Sequence, residues 1–199
     1  IKAARTLASG MMAGLTSPAR PWFRFSVPDR VQGSDARRWL DAAEERVRQI
    51  LQKSNIYNAL PLVYLDLGVF GTSCMVIEED DEDVVRGYVL PIGQYFLQNS
   101  YRLAVDTIFR EFRLTAKQLA ERFAYEKLSQ QVRTALENNQ MDTWFDVVHV
   151  IQPNGEREPG EVGPRGMKYR SVWFEKSCGE DWGFLKDSGF HEFPAMAPR

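Results

Sequence analysis

The sequence predicts a mixed α+β fold in which N-terminal helices precede and pack on antiparallel strands. In the stretch from Asn55 to Glu79, helical spacing of apolar residues gives way to a run of strand-forming residues. After Val84, short segments of strand-like composition follow one another, each bounded by turn residues. Between Thr115 and Asn139 lie two amphipathic segments. Together these patterns predict helices, an antiparallel β-meander, a helical pair and a second set of β-strands.

The composition is that of an ordinary globular protein. The 199 residues are 44% hydrophobic and 26% charged, with a formal net charge of −2. This length suits one large domain or two small ones, and the near-neutral charge predicts no nucleic-acid footprint over the whole chain. Cys74 and Cys178 are too far apart in sequence for a metal knuckle or a redox pair. Because the first residue is Ile1 rather than Met, we expect a piece of a longer chain.

The N-terminal segment 1–16 is rich in alanine, glycine and methionine and predicts a first helix. Its small residues allow another element to approach closely, either from the same domain or from another subunit. Met11 and Met12 are the candidate residues for a subunit contact on this helix. The segment from Trp22 to Val27 alternates and predicts a half-buried strand, and Pro28-Asp29 predicts the turn that follows it.

Two more helices are predicted before the first buried strand. One begins with Ser34 or Asp35 as its N-cap and ends near Ser54. The other has one apolar face, formed by Leu60, Val63, Tyr64 and Leu67. Gly68 and Gly71 are predicted to stop this helix, because glycine adopts the positive-φ position after a helix at little cost. With Asp66, these two glycines are the candidate residues of a fold-defining turn.

A membrane span is the rival interpretation of the apolar run from Leu60 to Ile77. The run is shorter than the ~20 residues that a bilayer requires. Asp66 and two glycines also interrupt it. We therefore expect no membrane anchor in this stretch.

Four strands are predicted to follow one another as an antiparallel meander. The first covers residues 72–77 and ends in an acidic hairpin tip that runs from Glu78 to Asp83. The other three strands are predicted at Val84–Leu90, Tyr95–Gln98 and Val105–Leu114. Thr115 and Gln118 then form the pattern of a capping box, which opens a helical pair whose second helix spans Lys127 to Glu137.

The last part of the chain predicts more strands. Trp144 to Gln152 and Lys168 to Lys176 are predicted to pair, and the segment between them, rich in glycine and proline, predicts a mobile surface loop. The chain then ends without a terminating signal. The predicted domains are a helical part with one early strand (1–71), a β-meander (72–114), a helical pair (115–140) and a β-rich segment (141–199).

The acidic run offers one candidate chemistry, the binding of a divalent cation by Asp80, Asp81 and Asp83. Successive residues on an extended strand point to opposite faces, so six in a row do not converge on one ion. A solvated hairpin tip that blunts unwanted strand association is the favoured interpretation. We expect no metal and no other cofactor.

The residues predict no active site. His149 shares a strand face with apolar neighbours, which predicts a buried imidazole with a satisfied hydrogen bond. The sequence contains no H-E-x-x-H pair, no G-x-S-x-G elbow and no glycine-rich phosphate loop followed by lysine. Asp106, Arg110 and Glu111 are candidates for ion pairs across a subunit boundary. Spacing alone favours the alternative, in which they form weak surface pairs within the chain.

Several segments, in this order, resemble the head-to-tail connecting (portal) proteins of short-tailed, T7-like bacteriophages. No single motif is decisive, but the ordered set spans nearly the whole chain. The segments are LASGMMAGLTSPARPWF (7–23), YLDLGVFGTSCMVIEEDDED (64–83), VLPIGQYFL (89–97), VDTIFREFRLTAKQL (105–119), WFDVVHVIQP (144–153), YRSVWFEK (169–176) and GFHEFPAMAPR (189–199).

The resemblance implies a structural function rather than an enzymatic one. Portal proteins form a ring, typically of twelve subunits, at one capsid vertex. A terminase motor pumps the genome through this ring, and the genome leaves by the same route. The implied partners are further copies of the chain, the capsid, the terminase, tail proteins and double-stranded DNA. The implied location is the virion, after assembly in the cytoplasm of the bacterial host. Family members run beyond Arg199, and the resemblance places this segment in the wing of the subunit.

Two other functions are compatible with the residues alone. One is a protein-binding adaptor module that forms no ring. The other is a metal-dependent enzyme that uses the aspartates of the acidic run. The size of the assembly separates the first from a portal, and a magnesium or manganese titration tests the second.

Overall fold

The computed structural model describes residues 1–26, 33–176 and 183–199. Within these ranges the chain has five α-helices and two antiparallel sheets, which confirms the predicted α+β class. The chain forms two compact units, one of residues 1–90 with 194–199 and one of residues 91–193. The helices are α1 (Lys2–Leu15), α2 (Ser34–Lys53), α3 (Ile56–Phe70), α4 (Ala116–Arg122) and α5 (Gln130–Glu137). The strands are β1 (Met75–Asp80), β2 (Val84–Val89), β3 (Tyr95–Asn99), β4 (Val105–Thr115), β5 (Trp144–Pro153), β6 (Tyr169–Glu175), β7 (Lys186–Phe190) and β8 (Ala195–Met196).

The core of the first unit lies between α1, α3 and the start of β1. Thr16 at the end of α1 shares a 2.8 Å hydrogen bond with the hydroxyl of Tyr64 on α3. The buried apolar residues are Ala8, Ile56, Ala59, Leu60, Val63, Tyr64 and Met75. Each large side chain among them contributes about 1.5–3 kcal/mol by leaving water. Removal of apolar surface from water therefore holds α1 and α3 together.

Gly68 lies inside α3 and does not end it, so the prediction that both glycines stop this helix is wrong for Gly68. A Cβ at Gly68 would stand 2.9 Å from Cδ2 of Leu7, so glycine here allows α1 to pack closely. Gly71 alone ends the helix, in the left-handed conformation with φ 73°. The role of Gly68 is determined by its close packing against α1. Local sequence spacing does not show this contact, because α1 is distant in the chain.

Two predictions near the N-terminus are also wrong. Residues 21–26 form no regular strand. In this segment Trp22 and Phe23 pack edge to face, and Trp22 Nε1 donates to the hydroxyl of Tyr57. Val27 and the predicted turn at Pro28-Asp29 lie outside the described residues. The N-cap of α2 is Gly33, with no side-chain hydrogen bond, rather than Ser34 or Asp35.

The predicted single meander is divided between the two sheets. In the first unit β1 pairs with β2 from Met75↔Val89 to Asp80↔Val84, and with β8 at Met75↔Met196. In the second unit the strand order is β3-β4-β5-β6-β7. Between β2 and β3 the chain turns at Pro91, whose carbonyl accepts from Gln94, with Gly93 at φ 91°. The two units thus cut across the predicted segment 72–114, and the other predicted domain boundaries stay predictions.

In the second unit α4 and α5 pack on one face of the five-stranded sheet. The capping box is confirmed, because Thr115 Oγ1 accepts from the Gln118 N–H at 3.3 Å and Gln118 Oε1 accepts from the Thr115 N–H at 2.9 Å. The predicted pairing of β5 with β6 is confirmed as well. The buried apolar residues are Ala116, Leu119, Phe123, Leu128, Val132, Ala135, Val147, Trp173 and Leu185.

Helix α5 begins three residues later than predicted, because Ser129 caps it. Its hydroxyl accepts from the Val132 N–H at 3.2 Å. The buried carboxylate of Glu175 on β6 accepts from the Ser129 N–H at 3.0 Å. These contacts attach the start of α5 to the sheet. None of the helices in the described ranges is long and apolar enough to span a membrane.

Candidate subunit-contact surfaces

Met11 and Met12, the predicted contact residues on α1, both pack partly on the core of the first unit. Met12 also accepts a hydrogen bond from Thr16 at its sulfur, at 3.2 Å. A groove of about 790 Å³ lies along α1, where no atom beyond the neighbouring helix backbone lies within 4 Å of a Cβ built at Gly10 or Gly14. Met11 lines this groove and Met12 does not. The structure therefore leaves Met11 as the better contact candidate of the two.

An apolar stripe that the sequence interpretation missed lies on the outward side of α3. Leu62 and Val69 are 53% and 52% exposed, with half-buried Leu65 between them. These positions have the spacing i, i+3 and i+7, so they share one face of the helix. Asp66 lies beside this face, and burial raises the pKa of its carboxyl above the ordinary value. The signal was present in the sequence, because α3 is apolar on nearly all sides.

Helix α2 exposes a large aromatic side chain in the same unit. Trp39 on this helix is 69% exposed. Exposed Ala42 and exposed Arg46 follow it at i+3 and i+7. Arg46 forms no ion pair within the described part of the chain. The outward face of α2 thus combines an aromatic ring with a cation.

The three candidate residues on β4 engage different partners within the second unit. Asp106 accepts a 3.0 Å hydrogen bond from the hydroxyl of Thr107. The guanidinium of Arg110 lies 3.9 Å from the ring centre of Phe112. Glu111 forms an ion pair with Lys176. Because consecutive strand residues point to opposite faces, Arg110 and Glu111 do not share one contact surface.

Arg110 belongs to a row of directly opposed residues that crosses all five strands of the second sheet. The strand registers join Tyr95, Arg110, His149, Trp173 and Lys186 in that order. His149 is 5% exposed, and its ring stacks on that of Trp173 at 3.8 Å. Cross-strand pairs of this kind stabilise a sheet. The alignment of these five residues is therefore explained by their contribution to the stability of the sheet.

His149 and Ser171 form the one pair in the described residues that resembles a catalytic base and nucleophile. His149 Nε2 and Ser171 Oγ are 2.9 Å apart. Both are buried, and burial together with the positive charges of Arg110, Arg122 and Lys186 lowers the pKa of His149 to about 3. Such an imidazole is a weak base, and no substrate reaches a closed core. The pair is best explained as hydrogen bonding within the core.

The acidic run divides between a strand and a turn. Glu78, Glu79 and Asp80 belong to β1, and the turn follows. Asp80 accepts from the backbone N–H groups of Asp83 and Glu82 and from Arg86, and these contacts lower the pKa of Asp80.

Asp83 also pairs with Arg86, at 3.5 Å, and Asp81 is exposed. In the described residues, no three side chains of His, Cys, Asp or Glu are grouped so that they can hold a metal ion. The contacts of Asp80 instead order the turn.

The comparisons with known proteins agree with one another. A family model described as bacteriophage head to tail connecting protein matches residues 1–199. The portal protein of Salmonella phage epsilon15 is 44% identical over 199 residues, which cover 99% of this chain and 36% of that protein. The probable portal protein of Bordetella phage BPP-1 is 36% identical over 200 residues, with 100% and 36% covered. The chain thus spans about a third of the length of these relatives.

Proposed function

This chain belongs to the family of bacteriophage head to tail connecting proteins, and we propose that it is a structural part of a portal subunit at a capsid vertex. The family match over all 199 residues carries this proposal. Two proteins named as portal or probable portal proteins support it at 44% and 36% identity. In this function the chain makes and breaks no covalent bonds.

The proposed mechanism is mechanical. A cyclic ring uses heterologous contacts, so each subunit offers two different faces that complement each other. The exposed sides of α1, α2 and α3 supply apolar surface for such contacts. Repeated across a ring, typically of twelve copies, these contacts close a conduit for double-stranded DNA.

DNA must be able to slide through the conduit, and this limits the positive charge that the lining of the conduit can carry. Tight contacts to phosphate that release counterions slow sliding. The net charge of −2 is compatible with a lining that does not hold DNA strongly. Capsid, terminase and tail proteins are the further partners of the proposed ring, and this segment belongs to its wing. We place the ring in the virion, after assembly in the host cytoplasm.

Mass measurement of the full-length protein tests the proposal. Native mass spectrometry, with electron microscopy of the same sample, is expected to show a closed ring of many subunits. A protein that stays monomeric under conditions where capsids assemble would contradict the ring and would favour the adaptor function.

Charge reversal on β4 tests the predicted contribution of this strand. Arg110→Glu is expected to weaken the ring if β4 lies at a subunit contact. Its control is Arg113→Glu, because Arg113 points to the opposite face and pairs with Asp146 at 2.8 Å. Intact rings in the Arg110 variant would remove β4 from the proposed contacts.

A further inference from the structure

We propose that the outward face of α3 on one copy of this chain binds the outward face of α2 on the next copy. The proposal rests on the portal function above and names the two surfaces that meet. The α3 face consists of exposed Leu62 and Val69, with Asp66 beside them. Half-buried Leu65 lies between the two but packs on the core of its own unit. The α2 face consists of Trp39, Ala42 and Arg46.

The α3 face has the character of a surface that another protein covers. A helix that is apolar on nearly all sides normally lies inside a protein. Here Leu62 and Val69 are about half exposed, and exposed Phe70 follows them. The occupant that we choose for this face is a second copy of this chain, because its helix α2 carries a stripe of matching spacing and opposite charge.

The α2 face matches the α3 face in length and spacing. From Trp39 to Arg46 the helix rises about 10.5 Å, and from Leu62 to Val69 it rises about the same distance. Exposed tryptophan is one of the residues most enriched at the energetic centres of interfaces. Ala42, one turn further on, is small and exposed, so it leaves room for a side chain of a facing helix. The two stripes therefore have the shape of facing helix surfaces.

The charges of the two faces are complementary. Asp66 is the one acidic residue of α3, and Arg46 is the cation of the α2 stripe. Within the residues that the structure describes, neither forms an ion pair. Either a parallel or an antiparallel alignment of the stripes brings Arg46 within about one helical turn of Asp66. Such a pair favours this contact over contacts with like-charged surfaces more than it raises affinity.

The contact is between chains, because the two faces do not cover each other within one copy. Trp39, Leu62 and Val69 are all exposed although α2 leads into α3 through only Ser54 and Asn55. A contact between two different faces is heterologous, and repetition of it closes a ring when the rotation between copies allows. This is the geometry that the proposed function requires.

Charge exchange in the full-length protein tests the pairing, with ring content measured by native mass spectrometry. Arg46→Glu and Asp66→Arg are each expected to lower the ring fraction at a fixed protein concentration by about tenfold, and the double variant to restore it. Arg37→Glu is the matched control, since Arg37 is an exposed residue of the same helix that lies outside the stripe. The control is expected to form rings like the unchanged protein.

The outcomes separate this inference from the proposed function. If the unchanged protein forms no ring, the function fails. If it forms rings and Arg46→Glu does so equally, this contact is overturned and a different occupant covers α3. If the double variant stays dissociated while both single variants are folded by circular dichroism, the pairing of Arg46 with Asp66 is overturned. Because Arg46 is exposed, its variant tests the contact even if the Asp66 variant fails to fold.

Discussion

The side-chain amide of Asn55 hydrogen-bonds both backbone groups of Gly87. Its Nδ2 donates to the Gly87 carbonyl and its Oδ1 accepts from the Gly87 N–H, each at 2.8 Å. Gly87 lies on β2, which is an edge strand of the three-stranded sheet. Asn55 thus occupies the place that a further strand would take, so it joins the start of α3 to the sheet and protects its edge.

We expect Asn55→Ala to lower the free energy of unfolding by about 1–3 kcal/mol, because two half-buried backbone groups lose their partner. Urea unfolding monitored by circular dichroism measures the change. Asn58→Ala is the control, since Asn58 is exposed on the same helix. Equal unfolding midpoints for the two variants would show that the amide contributes nothing to stability.

The backbone at Gly71 is in a conformation that favours glycine. Its φ is 73°, and no atom lies within 4 Å of a Cβ placed there, so any cost of a side chain comes from the backbone alone. We expect Gly71→Ala to destabilise the first unit by about 1 kcal/mol. Thermal unfolding is the measurement.

Gly14→Ala is the matched control for Gly71→Ala and is expected to have the opposite sign. Gly14 lies inside α1 in open space and without positive φ, so alanine is expected to stabilise the helix by about 0.5–1 kcal/mol. A loss of stability in Gly14→Ala would mean that the space around Gly14 is filled.

The buried imidazole of His149 predicts a dependence of stability on pH. Its pKa falls from 6.5 to about 3 in the folded chain, so between these values the unfolded chain binds the additional proton. The contribution of His149 is therefore fully present above pH 6.5 and is lost as the pH falls toward 3. The slope is at most about 1.4 kcal/mol per pH unit.

His149→Phe isolates this effect, because it keeps a ring against Trp173 but does not titrate. We expect the urea midpoint of the unchanged protein to fall more steeply between pH 6.5 and pH 4 than that of the variant. Carboxyl groups titrate in both proteins, so the difference between the curves measures the imidazole. Parallel curves would place His149 in a more polar environment than this core.

Magnesium is expected not to bind the acidic turn. Arg86 lies 3.0 Å from Asp80 and 3.5 Å from Asp83, so it already neutralises the two carboxylates that are best placed for an ion. Calorimetric titration of the protein with Mg²⁺ is expected to release no heat. The control variant is Asp106→Asn. A heat of Mg²⁺ binding that is lost in Asp80→Asn but kept in the control would support the alternative function as a metal-dependent enzyme.

Much of the local structure was predictable because it depends on neighbours in the chain. The capping box at Thr115 and Gln118 requires only four consecutive residues. The alternation around His149 predicted a buried ring with a satisfied hydrogen bond, and the bond to Ser171 confirms this. The segment from Trp22 to Phe25 shows the limit of such patterns, since alternation without a partner strand produced no strand.

The candidate contact surface on α3 is a second case in which a local sequence pattern was not sufficient. The sequence interpretation assigned a single apolar face to this helix. Only the positions of the neighbouring elements show that Leu62 and Val69 are exposed. Likewise, spacing marked Arg110 and Glu111 as charged neighbours, but only the sheet shows that they engage Phe112 and Lys176.

By itself the sequence determined the order and type of most elements and the resemblance to portal proteins, because periodicity, caps and ordered motifs are properties of the chain. Tertiary structure decided which strands share a sheet, why α3 contains Gly68 and where the side chain of Asn55 binds. The reason is that strand pairing and close packing join residues far apart in sequence. The energies of such contacts depend on partners that a local pattern does not contain.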